Sequence, residues 1–327
     1  MDWILKLNDR KVPARAWIIR LLHWTVMALC LTYAFWGVDV DKFLSVISSY
    51  NLLAVFTAVI LLFSGFVALA RRLNALSKNK IGNTHSLIGT IIGQGANNVL
   101  PAKLGEAVKT FYISRESSRT MAWVFGCVFW ERFFDLNALL LFGIVIVFTV
   151  NSAFSIGSFF VFVIVIWLAL FVVRLWPNFV HTFIQRIPFK KLRDFSIELL
   201  EHLTSGLDLS VIFKASIWTI IIWLQYVAQV AVILLWAAQI DLSITAILVI
   251  FVVSGIGLNL AASPGGIGVY EAAIIVSASW YGVGKEEALA SAIVLHVIQY
   301  VPTTLLGIYL MFRADITFKQ IQNQPSS

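Results

Sequence analysis

Three charged residues stand close together in the segment Trp130-Glu131-Arg132-Phe133-Phe134-Asp135, which opens a long apolar run. Residues three or four apart share one face of a helix, so Arg132 can pair with Asp135 while Glu131 and Asp135 point the same way. A charge in the middle of a bilayer costs about 2.5–3.5 kcal/mol, and such groups usually face protein or water and carry function. The segment therefore predicts either an internal ion pair or part of a site for a charged ligand.

Three more charged residues, at positions 103, 106 and 109, precede this segment. Together with those of the segment they make three cations and three carboxylates. We expect the cations to present positive charge to a phosphate group, and the carboxylates to balance them when the site is empty. The cations are Lys103, Lys109 and Arg132, and the carboxylates are Glu106, Glu131 and Asp135.

Two apolar regions, about 84–113 and 244–282, are interrupted by the same pattern of residues. Each contains G-x-G-x-N, a short gap, Pro, a Gly three or four residues later, and then Glu. The first copy runs from Gly93 through Asn97 and Asn98 to Pro101 and Glu106, and the second from Gly255 through Asn259 to Pro264, Gly265, Gly266, Tyr270 and Glu271. Two matched copies are more specific than either copy alone.

These interruptions have a physical consequence if the regions lie in a membrane. A helix broken in hydrocarbon leaves backbone N–H and C=O groups that must be buried in protein or line a wet cavity. Pro101 and Pro264 suit the first turn of a returning helix, and the free N–H groups of a helix start attract phosphate. Packing kinks without a ligand are the alternative, but two matched breaks favour a site formed by Asn97, Asn98, Asn259, Gly265, Gly266, Tyr270 and Glu271.

One histidine lies within a long apolar stretch, in Val294-Leu295-His296-Val297-Ile298. A lone histidine in such a place is more often a hydrogen-bonded contact between helices than a proton relay. If it is protonated near neutral pH, His296 can pair with Glu271 or with a phosphate. We expect this pair to gate the site or to couple it to protons.

The composition shows which elements position these residues. Of 327 residues, 60% are hydrophobic and 13% are charged, whereas a soluble domain has roughly 25% charged residues. A soluble globule, a disordered chain and a disulfide scaffold are therefore excluded, and the chain is predicted to be an all-α polytopic membrane protein. Six runs are long enough to span a bilayer, near 17–36, 50–70, 133–150, 156–173, 215–239 and 288–312.

The distribution of Lys and Arg predicts the topology. With each interrupted region as a re-entrant hairpin and both termini cytoplasmic, all 24 Lys and Arg residues lie on the cytoplasmic side except Lys42, Lys285 and Arg132, as the positive-inside rule requires. The two hairpins then enter from opposite sides, and the chain forms one integral membrane domain, 1–327, with inverted repeats at about 50–150 and 211–312. An amphipathic helix is expected at about 180–205, on the cytoplasmic surface.

Catalytic templates are not found in the sequence. It contains no G-x-S-x-G, H-E-x-x-H or phosphate-loop motif and no Cys/His metal spacing. We therefore expect no catalytic residue, no metal and no cofactor. Because topology accounts for most of the positive charge, we expect no nucleic-acid partner.

The three motifs together, Asn97 to Glu106, Glu131 to Asp135 and Pro264 to Glu271, resemble the signature series of the lysylphosphatidylglycerol synthase transmembrane, or flippase-like, family. This family is the membrane half of the multiple peptide resistance factor. The similarity covers nearly the whole chain, in the family's order and spacing. Three motifs in register are specific for the family and much less so for the substrate.

The resemblance implies that the protein moves a lipid between the leaflets of the cell (cytoplasmic) membrane. The lipid would be anionic, aminoacylated or linked to a polyprenyl phosphate. Synthase activity is expected to be absent, because the chain ends soon after its last span. The family usually has Arg at the positions of Lys103 and Lys109 and near His296, and Lys lacks the bidentate fork of Arg. Phosphate is therefore expected to be less tightly oriented here.

Two other functions stay open on the sequence. The first is an intramembrane transferase acting on a polyprenyl phosphate, with Glu106 or Asp135 as base. The second is a lipid-binding partner subunit of such an enzyme. The expected partner is a membrane lipid with a phosphate headgroup, and the sequence leaves open a homo-oligomer and a pathway enzyme that makes the lipid.

Overall fold

The computed structural model describes residues 14–100, 104–150, 157–205, 207–260 and 264–316. These residues form thirteen α-helices and no β-strand, which confirms the all-α prediction. In chain order the helices are α1 (Ala14–Phe35), α2 (Val40–Ser48), α3 (Leu52–Leu76), α4 (Asn83–Val99), α5 (Gly105–Ser117), α6 (Met121–Val150), α7 (Gly157–Leu175), α8 (Pro177–Gln185), α9 (Lys190–Ser205), α10 (Leu209–Ala231), α11 (Ile244–Leu260), α12 (Val269–Ser279) and α13 (Lys285–Arg313).

Three helical segments in the described part of the chain are long and apolar enough to cross a membrane: Leu52–Leu76, Leu209–Ala237 and Lys285–Arg313. The second consists of α10 and a π-helical turn, Val232–Ala237, that extends it. Helices α7 and α8 bend by 92° at their junction and add a fourth span if they count as one. The chain is therefore a polytopic membrane protein, and the six spans and two re-entrant hairpins stay a prediction.

Each interrupted region forms two helices that pack against each other. The first hairpin consists of α4 and α5, and the second of α11 and α12. A Cβ atom added at Gly93 would lie 2.9 Å from the Cβ of Lys109, and one added at Gly257 would lie 3.0 Å from the Cβ of Ala273. The separation along the chain is the same in both hairpins (93 to 109, 257 to 273), so the repeated sequence corresponds to a repeated helix contact.

The two hairpins meet at their tips. Helix α4 packs against the 3₁₀ turn Pro264–Gly266 at the tip of the second hairpin, and it also packs along α13. The contact between α4 and α13 is close because two glycines face each other: a Cβ at Gly95 would lie 2.8 Å from the Cα of Gly307. Small residues allow such close packing between membrane helices.

The predicted amphipathic helix at about 180–205 is two helices, α8 and α9. The break falls at Pro188, which lacks the N–H that a continuous helix would use. Helix α9 packs on α6, where Leu200 is buried and the rings of Phe195 and Phe125 lie 5.9 Å apart. This region therefore lies against the helix that carries Arg132.

Candidate functional site

Six charged residues from three helices lie close to one another, in a chain of four ion-paired residues and one further ion pair, and we call them the charge network. It comprises Arg72 from α3, Glu106 and Lys109 from α5, and Glu131, Arg132 and Asp135 from α6. All six positions lie in or beside apolar helices, where an unpaired charge is costly. The three cations equal the three carboxylates, so the network is electrically neutral.

Arg72 forms a bidentate ion pair with Asp135, and its guanidinium group is fully buried. The Nη1 and Nη2 atoms of Arg72 lie 2.6 and 3.1 Å from the two carboxylate oxygens of Asp135, and Nη1 also donates to Thr219 of α10 at 3.2 Å. Arg72 is fully buried, and Trp223 donates a further hydrogen bond to Asp135 at 3.3 Å. This bidentate pair ties α3, α6 and α10 together.

Arg132 is the accessible cation of the network. Its Nη2 lies 2.6 Å from Glu106 Oε1 and its Nη1 lies 3.3 Å from Asp135 Oδ2. The Arg132 side chain is 51% exposed, compared with none of Arg72 and 5% of Lys109. The guanidinium group has five N–H donors in a planar fork that suits phosphate oxygens, so Arg132 can receive an anion from outside the network.

Lys109 does not have this access. Its Nζ lies 2.6 Å from Glu131 Oε2, and both side chains are buried. From the sequence, Lys109 was expected to contact phosphate and Glu131 to balance charge when the site is empty. The structure places them together as an internal ion pair between α5 and α6, where Lys109 is not accessible.

Two carboxylate oxygens in the network are buried without a hydrogen-bond partner in the described part of the chain, Glu106 Oε2 and Glu131 Oε1. A buried polar atom without a partner costs about 1–3 kcal/mol. Arg132 contacts one oxygen of Glu106, whereas Arg72 contacts both oxygens of Asp135.

The first tip is stabilised by its two asparagines. Asn97 Oδ1 accepts a hydrogen bond from the backbone N–H of Gly105 at 2.8 Å, which closes the tip at the start of α5. Asn98 Nδ2 donates to Thr304 Oγ1 of α13 at 2.9 Å. Both side chains therefore hold the hairpin in place, and the leading N–H of α5 is already used within the protein.

The second tip has the same feature with a different partner. The backbone N–H of Gly268 donates to Glu271 Oε2 at 2.7 Å, as a capping residue does at a helix start. Gly265, Gly266 and Gly268 have φ of 64°, 77° and 85°, a region that residues with a Cβ rarely occupy. The expectation of free helix-start amides is therefore not met at Gly105 or at Gly268.

Glu271 and His296 are in direct contact, as expected. His296 Nδ1 lies 2.5 Å from Glu271 Oε1, and His296 Nε2 lies 2.9 Å from the carbonyl oxygen of Gly265. A carbonyl oxygen can only accept, so Nε2 carries a proton, and a second proton lies between Nδ1 and the carboxylate. The pair thus holds one shared proton and fastens the second tip to α13.

Tyr300 contacts both tips, although the sequence analysis did not select it. Its hydroxyl donates to the carbonyl oxygen of Asn98 at 3.3 Å, and a Cβ at Gly265 would collide with its ring. Its ring also lies 5.7 Å from that of His296. Tyr270 is buried beside His296, with ring centroids 5.1 Å apart. Aromatic rings thus fill the junction of the two hairpins.

The predicted site residues form two groups. Glu106, Lys109, Glu131, Arg132 and Asp135 belong to the charge network, and Asn98, Gly265, Gly266, Tyr270, Glu271 and His296 surround the junction of the tips, with Asn97 at the start of α5. Lys103 and the side chain of Asn259 lie outside the described residues. Within the described ranges, no group of three His, Cys, Asp or Glu residues could hold a metal ion.

Arg72 is the main residue that the sequence analysis missed. It was counted among the cytoplasmic basic residues because it stands next to Arg71 at the end of an apolar run. Its partner Asp135 lies far away in the chain, so spacing did not connect them. The apolar run is long enough for the helix to continue past Arg72, and this could have predicted an arginine within α3.

One family model matches the chain. It is the lysylphosphatidylglycerol synthase TM region, and the match covers residues 17–307. The matched range includes the whole charge network and both hairpins. No protein of curated function matches the sequence.

Proposed function

We propose that this chain, which belongs to the family of the lysylphosphatidylglycerol synthase TM region, carries an anionic lipid between the two leaflets of a membrane. The lipid phosphate would bind in a cleft at Arg132. The proposal includes a lipid that is aminoacylated or linked to a polyprenyl phosphate. It places the protein in the cell membrane with both termini cytoplasmic, as the Lys and Arg distribution predicts.

The observation that supports this proposal most is the position of Arg132. It is a half-exposed guanidinium held between two carboxylates, Glu106 and Asp135, on a long and mostly apolar helix. A cation in that environment needs an anionic partner at all times. A lipid phosphate can take the place of a carboxylate without leaving the guanidinium unpaired.

The contacts indicate which carboxylate is displaced. Asp135 also forms a bidentate pair with Arg72, so it would still have a cationic partner if Arg132 moved away. Among the described residues, Glu106 has an ion pair with Arg132 alone. Phosphate therefore competes with Glu106, and release of Glu106 from Arg132 opens the site for the lipid.

Binding of a phosphate changes the charge of a network that is neutral when empty. The added negative charge is most readily balanced by a proton, and Glu106 is the carboxylate that lost its partner. Glu106 also carries a buried oxygen without a hydrogen-bond partner among the described residues. Lipid binding at Arg132 and proton uptake at Glu106 are thus expected to favour each other.

The two hairpins supply the moving parts of the proposed transporter. Their tips meet at Tyr300, and the shared proton of Glu271 and His296 fastens the second tip to α13. Loss of that proton leaves a carboxylate facing a bare ring nitrogen, which weakens the contact. The tips would then separate, and the cleft would open toward the other leaflet while the lipid tails stay in the bilayer.

The transferase alternative requires Glu106 or Asp135 to accept a proton from a substrate. Both carboxylates are engaged by guanidinium groups, so each would have to leave an ion pair before it acts as a base. Mass spectrometry of lipids from cells with and without the protein separates the two functions. An unchanged set of lipids with an altered leaflet distribution supports transport, and a missing product supports a transferase.

The partner-subunit alternative predicts lipid binding without movement. Purified protein in vesicles, with a labelled anionic lipid, tests this directly. Faster movement of the label between leaflets than in protein-free vesicles supports transport by the chain alone. Binding with no faster movement would support the subunit and contradict the proposal.

A further inference from the structure

A pocket of about 90 Å³ lies away from the charge network, at the ends of two candidate spans. It is formed where α3 ends and α10 begins, with α9 and the start of α6 as further walls. The lining residues used below are Lys78, Lys80, Trp123 and His202. A pocket at the ends of two spans lies at the level of lipid headgroups.

The turn that carries the two lysines is held by a buried asparagine. Asn74 Nδ2 donates to Asn79 Oδ1 and Asn83 Oδ1 at 3.1 and 3.0 Å, and Asn74 Oδ1 accepts from the N–H of Gly82 at 3.0 Å. Lys78 and Asn79 have φ of 53° and 61°, so the chain reverses sharply there. The hydrogen bonds of Asn74 therefore fix the backbone of the turn that carries both lysines.

The pocket is electropositive. Lys78 pairs with Asp208 at 2.9 Å, in an exposed contact that is readily exchanged. No described carboxylate pairs with Lys80, whose Nζ lies 5.9 Å from the ring centre of Trp123. Arg119 lies over the same ring at 5.4 Å, which adds a third cation beside the pocket.

His202 also lines the pocket, and the charged groups that act on it are the cations Lys78 and Lys80. Its ring lies 5.4 Å from that of Trp123, and its Nε2 lies 3.9 Å from the sulfur of Cys127. Burial lowers the pKa of His202, and the charges of Lys78 and Lys80 lower it further. An anion in the pocket would remove that electrostatic cost.

We propose that this pocket binds a phosphate group, carried by an anionic lipid headgroup or present as free phosphate. Lys78 and Lys80 would supply the charge and donate hydrogen bonds through their ammonium groups. Basic pockets between membrane helices bind lipid headgroups in this way. The site is separate from Arg132 and does not depend on the proposed transport function.

The titration of His202 reports occupancy of the pocket. A phosphate within about 4–6 Å raises the pKa of a histidine, so we expect His202 to titrate about one pH unit higher when the pocket is filled. The measurement is NMR of protein with ¹³C-labelled histidine in maltoside micelles and phosphate-free buffer. Phosphatidylglycerol or inorganic phosphate is then added, and His202→Gln assigns the signal.

Two controls separate the pocket from general surface charge. His181 on α8 reports the change that an anionic micelle causes at any histidine, and the rise at His202 must exceed it. The double variant Lys78→Gln/Lys80→Gln should abolish the excess rise, while Lys190→Gln/Lys191→Gln removes the same charge from α9 and should retain it. Arg132→Ala should also retain it, because the charge network is a different site.

Each outcome decides the proposal. A rise with both additions supports recognition of the phosphate group, and a rise with phosphatidylglycerol alone supports a lipid headgroup. A rise with inorganic phosphate alone supports the free ion as the ligand. No excess rise with either addition, or a rise that survives in Lys78→Gln/Lys80→Gln, would overturn the proposal.

Discussion

Arg72 and Asp135 form a bidentate ion pair between α3 and α6, with both carboxylate oxygens within 3.1 Å of the guanidinium nitrogens. Arg72 is fully buried, so Asp135 is a condition for keeping that charge inside the protein. The same carboxylate also contacts Arg132. Asp135 therefore links a structural ion pair to the cation that we propose binds phosphate.

Removal of the Asp135 charge is expected to destabilise the fold. Asp135→Asn leaves Arg72 buried and unpaired, which costs about 3–5 kcal/mol of unfolding free energy. A thermal denaturation series in detergent should show a large fall of the midpoint. The double variant Arg72→Met/Asp135→Leu removes both charges and should recover most of the loss.

Equal stability of Asp135→Asn and the wild type would show that the pair does not hold α3 and α6 together. A double variant that is less stable than Asp135→Asn would show that the two charges do not stabilise the fold mainly through each other. Either result would contradict the assignment of a structural role to this pair.

Removal of the Glu106 charge is expected to strengthen the binding of an anionic headgroup. Glu106→Gln removes the carboxylate that competes for Arg132, so an anionic headgroup should bind several-fold tighter. Equilibrium binding of a fluorescent phosphatidylglycerol in maltoside micelles measures this. Glu116→Gln is the matched control, because Glu116 lies on the same helix and pairs with Arg115 instead. Unchanged or weaker binding in Glu106→Gln would argue against displacement of Glu106 by phosphate.

The close contact of α4 and α13 requires glycine. A Cβ at Gly95 would lie 2.8 Å from the backbone of Gly307 and Thr303, so Gly95→Ala must push the helices apart at about 1–3 kcal/mol. Gly65→Ala is the control, since its nearest atom would lie 3.9 Å away. We expect the midpoint of thermal denaturation to fall in Gly95→Ala and to stay at the wild-type value in Gly65→Ala. Similar midpoints in both variants would contradict this close packing.

The shared proton of Glu271 and His296 is open to spectroscopy. ¹⁵N NMR of labelled histidine should show His296 Nε2 protonated, because it faces the carbonyl oxygen of Gly265. In Glu271→Gln, Nε2 should stay protonated while Nδ1 loses its proton and accepts from the new amide. A bare Nε2 in the wild type would rule out the hydrogen bond to Gly265 and with it the proposed fastening of the tip.

Much of the fold follows from the sequence because its cause is local. Long apolar runs predicted the helices, and the repeated Gly, Asn and Pro pattern predicted two helical breaks. The pairing of Glu271 with His296 was expected from charge alone. Pro188 could have predicted that the region at about 180–205 splits into α8 and α9.

The rest depends on tertiary contacts that spacing does not encode. Arg72 was placed in a cytoplasmic loop because its partner Asp135 lies on another helix. Lys109 was expected to face phosphate, and only the packing of α5 on α6 brings it to Glu131. Tyr300 was passed over because one aromatic residue in a membrane helix does not reveal that two hairpin tips meet at its side chain.

The role of Arg132 in lipid movement is tested most directly by transport in vesicles. The rate of transfer of a fluorescent phosphatidylglycerol between leaflets is followed by dithionite quenching, for wild type, Arg132→Ala and the control Arg313→Ala on the last turn of α13. We expect fast transfer by wild type and Arg313→Ala, and transfer by Arg132→Ala no faster than in protein-free vesicles. Transfer by folded Arg132→Ala at the wild-type rate would contradict the role of Arg132 in lipid movement.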